Sequence, residues 1–102
     1  MIVRGFITFE WDDAKAEVNL AKHGVAFDEA STVFYDPHAL VVDDDEHPYD
    51  ENRFIIVGLS AAPRVLTVCH CYRETNEVIR IISARRATRN EENGYWRRRN
   101  EG

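Results

Sequence analysis

The sequence predicts an α+β domain with a short first strand, two amino-terminal helices, an antiparallel four-stranded sheet and a carboxyl-terminal helix. Three observations carry this expectation. Apolar residues recur at helical spacing as far as Phe34. Beyond Asp36-Pro37 the pattern becomes alternating or continuously apolar. The later runs are joined by connections far too short for a crossover, which makes neighbouring strands antiparallel.

Ile7–Trp11 reads as the first strand, and Asp12 or Asp13 can cap the helix that follows. Lys22-His23-Gly24 closes that helix, because glycine suits the position after a helix and cations suit its last turn. Ala14, Val18 and Ala21 form its expected apolar stripe, and Lys15, Asn19 and Lys22 its polar one. Phe27, Ala30, Ser31 and Phe34 repeat at helical spacing and define a second short helix. Strands are expected at His38–Val42, Arg53–Leu59, Arg64–Tyr72 and Glu77–Ala84, linked by Ala61-Ala62-Pro63 and Glu74-Thr75-Asn76. Thr88-Arg89-Asn90-Glu91 is a capping box that opens the last helix, through Trp96 and Arg99, although Gly94 weakens its middle by about 1 kcal/mol relative to alanine.

The 102 residues leave room for one small domain, residues 1–102. Apolar runs such as Phe54–Leu59 are too short to span a bilayer, and the amino terminus lacks a leader pattern, so a soluble cytoplasmic protein is expected. The net charge of -5 argues at first against an anionic partner, yet it averages two opposed halves. Residues 1–52 carry 3 basic and 13 acidic side chains, whereas residues 53–102 carry 10 basic and 5 acidic. A polyanion such as RNA therefore belongs with the second half.

Cys69 and Cys71 lie two apart in a strand and point to one face, a poor geometry for a disulfide. Alternation sends His70 to the other face, and no second cluster supplies further ligands, so neither a metal site nor a cofactor is expected.

Several blocks together resemble the BrnT family of toxins. They are Phe9-Glu10-Trp11-Asp12, Lys15-Ala16, Asn19, Lys22-His23-Gly24-Val25, Phe27, Glu29-Ala30, Val33-Phe34, Asp36-Pro37, Glu51 with Arg53, Gly58, and Ile79-Arg80-Ile81-Ile82-Ser83-Ala84-Arg85-Arg86-Ala87-Thr88. The likeness runs from about Phe9 to Thr88. It implies a RelE-like fold and a ribonuclease that blocks translation. It also implies neutralisation by a BrnA antitoxin, in a hetero-oligomer that touches DNA only through the antitoxin. The Cys69-His70-Cys71 strand and the acidic stretch from Asp43 to Glu51 depart from the family pattern.

Cutting RNA through its own 2′-hydroxyl needs a base, cations for the charge growing on the phosphate, and an acid for the departing oxygen. His23 and His70 are of the type that titrates near neutrality, and Glu51 is a base if Arg53 orients it. Arg80 and Arg85 are the leading phosphate clamps, being permanently charged and bidentate. Lys15, Lys22, Arg53 and Arg86 are candidate RNA contacts, and Tyr72 and Tyr95 candidate stacking platforms. Each has a plainer reading: His23 as a helix-end cation, His70 as a core histidine, Arg80 in an ion pair, the lysines merely solvated. Regular alternation also puts Arg80 and Arg85 on opposite faces, so both serve one site only if the strand twists or ends near Ser83. A protein-interaction module without nuclease activity, binding its antitoxin and modulating operon repression, is the alternative function. Tyr95-Trp96 would suit such a module as an anchor.

Overall fold

The computed structural model describes residues 2–44, 53–73 and 77–101. Its strands are β1 (Ile2–Arg4), β2 (Ile7–Glu10), β3 (Leu40–Asp43), β4 (Arg53–Leu59), β5 (Val65–Arg73) and β6 (Val78–Arg86). Its helices are α1 (Asp13–His23), α2 (Phe27–Thr32) and α3 (Arg89–Glu101), with a 3-10 turn at Val33–Tyr35 continuing α2. The strands form one six-stranded sheet in the order β1-β2-β6-β5-β4-β3. The mixed α+β class is as expected, and the four-stranded antiparallel sheet enlarges in two ways. β1, unforeseen because it is only three residues long, folds onto β2 through a turn in which Gly5 has φ +60. β2 then lies parallel to β6, matching Glu10 with Arg80, a long-range pairing that no local turn signal encodes.

The two faces of the sheet differ. Phe9, Ile56, Leu66, Val68, Ile79, Ile81 and Ala84 are buried on one face against Val25, Phe27, Ala30 and Val33 of the helical segment. Complete burial of such side chains contributes roughly 1.5–3 kcal/mol apiece. Gly58 is needed here because a Cβ would lie 2.8 Å from Ala39 Cβ and 2.9 Å from Val33 Cγ1. Arg64 clamps this layer at its end, gripping Glu29 through Nε at 2.8 Å and Nη2 at 2.6 Å while also donating to the Gly24 carbonyl. The other face is crossed by α3, whose Tyr95 is buried and donates to Asp36 Oδ2 at 2.5 Å. Burial works against the Asp36 charge, but the Leu59 N–H, Tyr95 hydroxyl and His38 N–H together hold its pKa below the usual carboxylate value.

α1 begins and ends as its sequence predicts. Asp12 accepts the Lys15 N–H at 3.0 Å, and Gly24 sits left-handed at φ 69 with its N–H on the Leu20 carbonyl. Its expected apolar stripe is overturned, since Ala14, Val18 and Ala21 are exposed and Asn19 is the buried residue. The reason lies in β6. Paired β2 residues end at Glu10 opposite Arg80, so the later part of that β6 edge needs another partner. Asn19 supplies it: Oδ1 accepts the Ala84 N–H at 3.1 Å, and Nδ2 donates to the Ala84 carbonyl at 2.8 Å and the Val25 carbonyl at 3.0 Å. The amide serves both backbone groups of one residue as a neighbouring strand would, which makes burying it favourable.

Candidate functional site

The strand β6 is not regular. Cys69 pairs with Ser83, but its neighbour His70 pairs with Ile81, leaving Ile82 as an extra residue opposite no partner. Such a bulge shifts the alternation by one. Arg80 is opposite Cys71, Ser83 opposite Cys69, and Arg85 opposite Thr67, and these partners are all two apart in β5. Cross-strand partners share a face. Arg80, Ser83 and Arg85 therefore stand together on the α3 face, which corrects the separation that regular alternation imposes. Asn19, bonded to Ala84 immediately beyond the slip, holds it in register.

A cleft of about 680 Å³ opens on this face between α3 and the sheet, with Arg53, Arg85 and Arg98 among its walls and Ile55, Val57 and Ile82 among its apolar lining. A second, of about 360 Å³, lies between α1 and the same strand and contains Lys15, Lys22 and His23. Ile82 and Ser83 line both, so the clefts meet at the bulge. Five of the sequence candidates, Lys15, Lys22, His23, Arg53 and Arg85, are thereby gathered around one stretch of β6.

Both leading arginines also have carboxylate partners. Arg85 binds Glu91 with Nη1 at 2.7 Å and Nη2 at 3.1 Å. Glu91 is at the same time the acid of the capping box, accepting the Thr88 N–H at 2.8 Å while Thr88 Oγ1 accepts the Glu91 N–H at 3.2 Å. Burial disfavours the Glu91 charge, yet the Arg85 and Thr88 hydrogen bonds outweigh it and bring the pKa down to about 2. Arg80 is held more loosely, with Nη1 3.5 Å from Glu10, a carboxylate it shares with Arg73 at 3.3 Å. Two guanidiniums on one carboxylate leave excess positive charge on this face.

The remaining candidates lie elsewhere. His70 is on the packed face and has no exposed surface, with its ring 4.7 Å from Phe34, 6.1 Å from Phe54 and 5.3 Å from Tyr72. Burial pushes its pKa down to about 4, and its Nε2 has no hydrogen-bond partner among the described residues. It is a neutral core histidine, separated by the sheet from Arg80 and Arg85. Tyr72 packs beside it at the border of the core. Arg86 is exposed on the packed face, where its charge acts on Glu29. Tyr95 is too buried to offer a stacking surface, whereas Trp96 keeps 38 % of its surface. Glu51 lies outside the described residues. Cys69 donates weakly to Asp44 Oδ2 at 3.6 Å, and burial raises its pKa to about 11, which keeps it a thiol. Sequence reasoning missed Glu91 as the Arg85 partner, because the capping box already accounted for it, and did not single out Arg98, which lines the cleft.

Comparison with known proteins bears on this arrangement. The chain matches the family model described as the ribonuclease toxin BrnT of type II toxin-antitoxin systems over residues 11–91. Its structure resembles the crystal structure of the Brucella abortus ribonuclease toxin BrnT, with a TM-score of 0.63 and 22% identity over 81% of this chain and 99% of that one. At that identity the structural likeness speaks to the fold alone. No curated protein gives a significant match. With residues 11–91 of its 102 inside the family's bounds, the chain belongs to the BrnT family of ribonuclease toxins.

Proposed function

We propose that the protein is an endoribonuclease that cleaves single-stranded RNA and so stops translation, and that a BrnA-like antitoxin neutralises it in the cytoplasm. The observation that carries this reading is the junction at Ile82 and Ser83, where an arginine-walled cleft meets a lysine-lined one. An RNA strand laid across it would place flanking phosphates near Lys15 and Lys22 and the scissile phosphate near Arg85. Guanidinium fixed on a strand needs little reorganisation as charge grows on the phosphate. His23 is half-buried and lines the lysine-lined cleft, which supports reading it as the group that moves a proton. In this reading the cut at the 2′-hydroxyl is metal-independent and RelE-like: His23 takes the hydroxyl proton as the oxygen attacks phosphorus, Arg85 offsets the charge on the phosphate, and water protonates the departing 5′-oxygen. DNA contact belongs to the antitoxin, through which the complex represses its own operon.

A second reading has a specific observation behind it. Arg85 and Arg80 are each already bound to a carboxylate, as expected of a module that holds its antitoxin without cutting RNA. Incubating the folded protein with single-stranded RNA in the presence of EDTA separates the two. Cleavage is the expected result, and intact RNA together with normal growth on expression without antitoxin would establish the binding module instead.

A further inference from the structure

β3 is a terminal strand of the sheet, and no described residue pairs with its outer edge. Leu40, Val41 and Val42 are 43%, 44% and 44% exposed, a run of three aliphatic residues where natural sheets place lysine, proline or a bulge to block further pairing. The Asp44 N–H bonds the Arg53 carbonyl of β4, so Asp44, Val42 and Leu40 turn their backbone groups inward. By alternation Val41 and Asp43 present theirs outward.

We propose that this edge pairs with the same edge of a second copy of the chain, antiparallel about Val41, making one sheet continuous across two molecules. The register follows from three conditions. A two-fold axis normal to the sheet keeps each face on its own side, so residues that meet must share a face, which allows Val41 against Val41 and excludes Val41 against Val42. Centring on Val41 sets Leu40 against Val42 of the other copy, aliphatic on aliphatic, whereas centring on Val42 sets Leu40 against Asp44. Val41 then exchanges both backbone bonds with its counterpart, and each Asp43 N–H meets the Ala39 carbonyl.

Charge selects the antiparallel sense. β3 ends in Asp43 and Asp44, while its beginning lies beside Arg98, which donates to the His38 carbonyl at 2.8 Å. Antiparallel pairing brings each acidic end to a cationic end. Parallel pairing would put acid against acid.

The test uses the self-pairing of position 41. Light scattering on the purified chain at increasing concentration should show the mass rising from 11.8 kDa toward twice that value. Val41→Lys and Val41→Glu, each placing like charges opposite one another, should hold the mass at that of one chain, with melting temperatures close to the parent's because the position is an exposed edge. Mixing the two variants in equal amounts should restore the doubled mass, since Lys then faces Glu. A parent that stays at 11.8 kDa at every concentration overturns the proposal. So do single variants that still dimerise, or a mixture of folded variants that does not.

Discussion

The two faces of the sheet share the same strands and solve opposite problems. On the packed face β6 contributes Ile79, Ile81 and Ala84 to a sealed layer, and even His70 there is stripped of water and charge. On the α3 face the same strand contributes Arg80, Ser83 and Arg85, beside a cleft that α3 leaves open. One extra residue, Ile82, lets a single strand serve both. The lesson is that where Ile81 and Ala84 both face the core while Arg80 and Arg85 both face α3, only a slip between them allows it.

Substitutions that strike one face alone sharpen this contrast. The largest effect is expected from Arg85→Ala, which should lower RNA cleavage by roughly 100-fold or more, as loss of one charge-stabilising donor does elsewhere. Arg86→Ala, one residue along on the opposite face, should change cleavage less than about 3-fold under the same principle of local contact. Equal losses in single-turnover cleavage would remove the distinction between the faces.

Next comes a pH effect that belongs to the packed face. Unfolded His70 takes a proton near its ordinary value of 6.5, whereas the folded protein resists it until about 4. The unfolded chain therefore binds more protons in that window, so the full stability present above pH 6.5 is lost progressively toward pH 4, by about 3 kcal/mol in total. Glu91, with its pKa down to about 2, adds its own loss between its ordinary value of 4.5 and about 2, as protonation of the carboxylate releases Arg85. Denaturant melts between pH 7 and 4 should show a slope that His70→Phe reduces. An unchanged slope would mean that His70 is not what titrates there.

The smallest expected effect is that of Gly58→Ala, which forces a methyl into the space between Ala39 and Val33. Overpacking of this kind costs about 1–3 kcal/mol, and a chain this size should melt roughly 4–8 °C lower per kcal/mol. Cleavage at a temperature where the variant is folded should be unaffected, because the contact lies on the face away from Arg85. A melt matching the parent's would show that the layer yields without cost.

Much of this architecture was legible in the letters, where the signal was local. Asp12 and Gly24 delimit α1, Thr88 and Glu91 form the capping box, and the changed period after Pro37 marks the strands. What escaped was long-range. Nothing near Thr8 or Val78 announces that they pair in parallel, and the doublet Ile81-Ile82 does not reveal which isoleucine is the extra one. The α1 stripe was misjudged for the same reason, since Asn19 is buried to serve Ala84, 65 positions away. Lys15, Lys22, His23, Arg53 and Arg85 came from residue type and family likeness, and the structure gathers them. Chemistry alone also nominated His70, because an imidazole in a strand carries no mark of the aromatic rings that enclose it.

The parallel pairing of β2 with β6 also sets a schedule. Thr8 must wait for Val78, a separation of 70 positions, which a translating ribosome covers in on the order of ten seconds. Until β6 has emerged, β2 lacks this partner, Asn19 lacks the backbone it will grip, and neither cleft has its shared wall. A nascent chain therefore has neither cleft until β6 has left the ribosome and closed against β5 and α1.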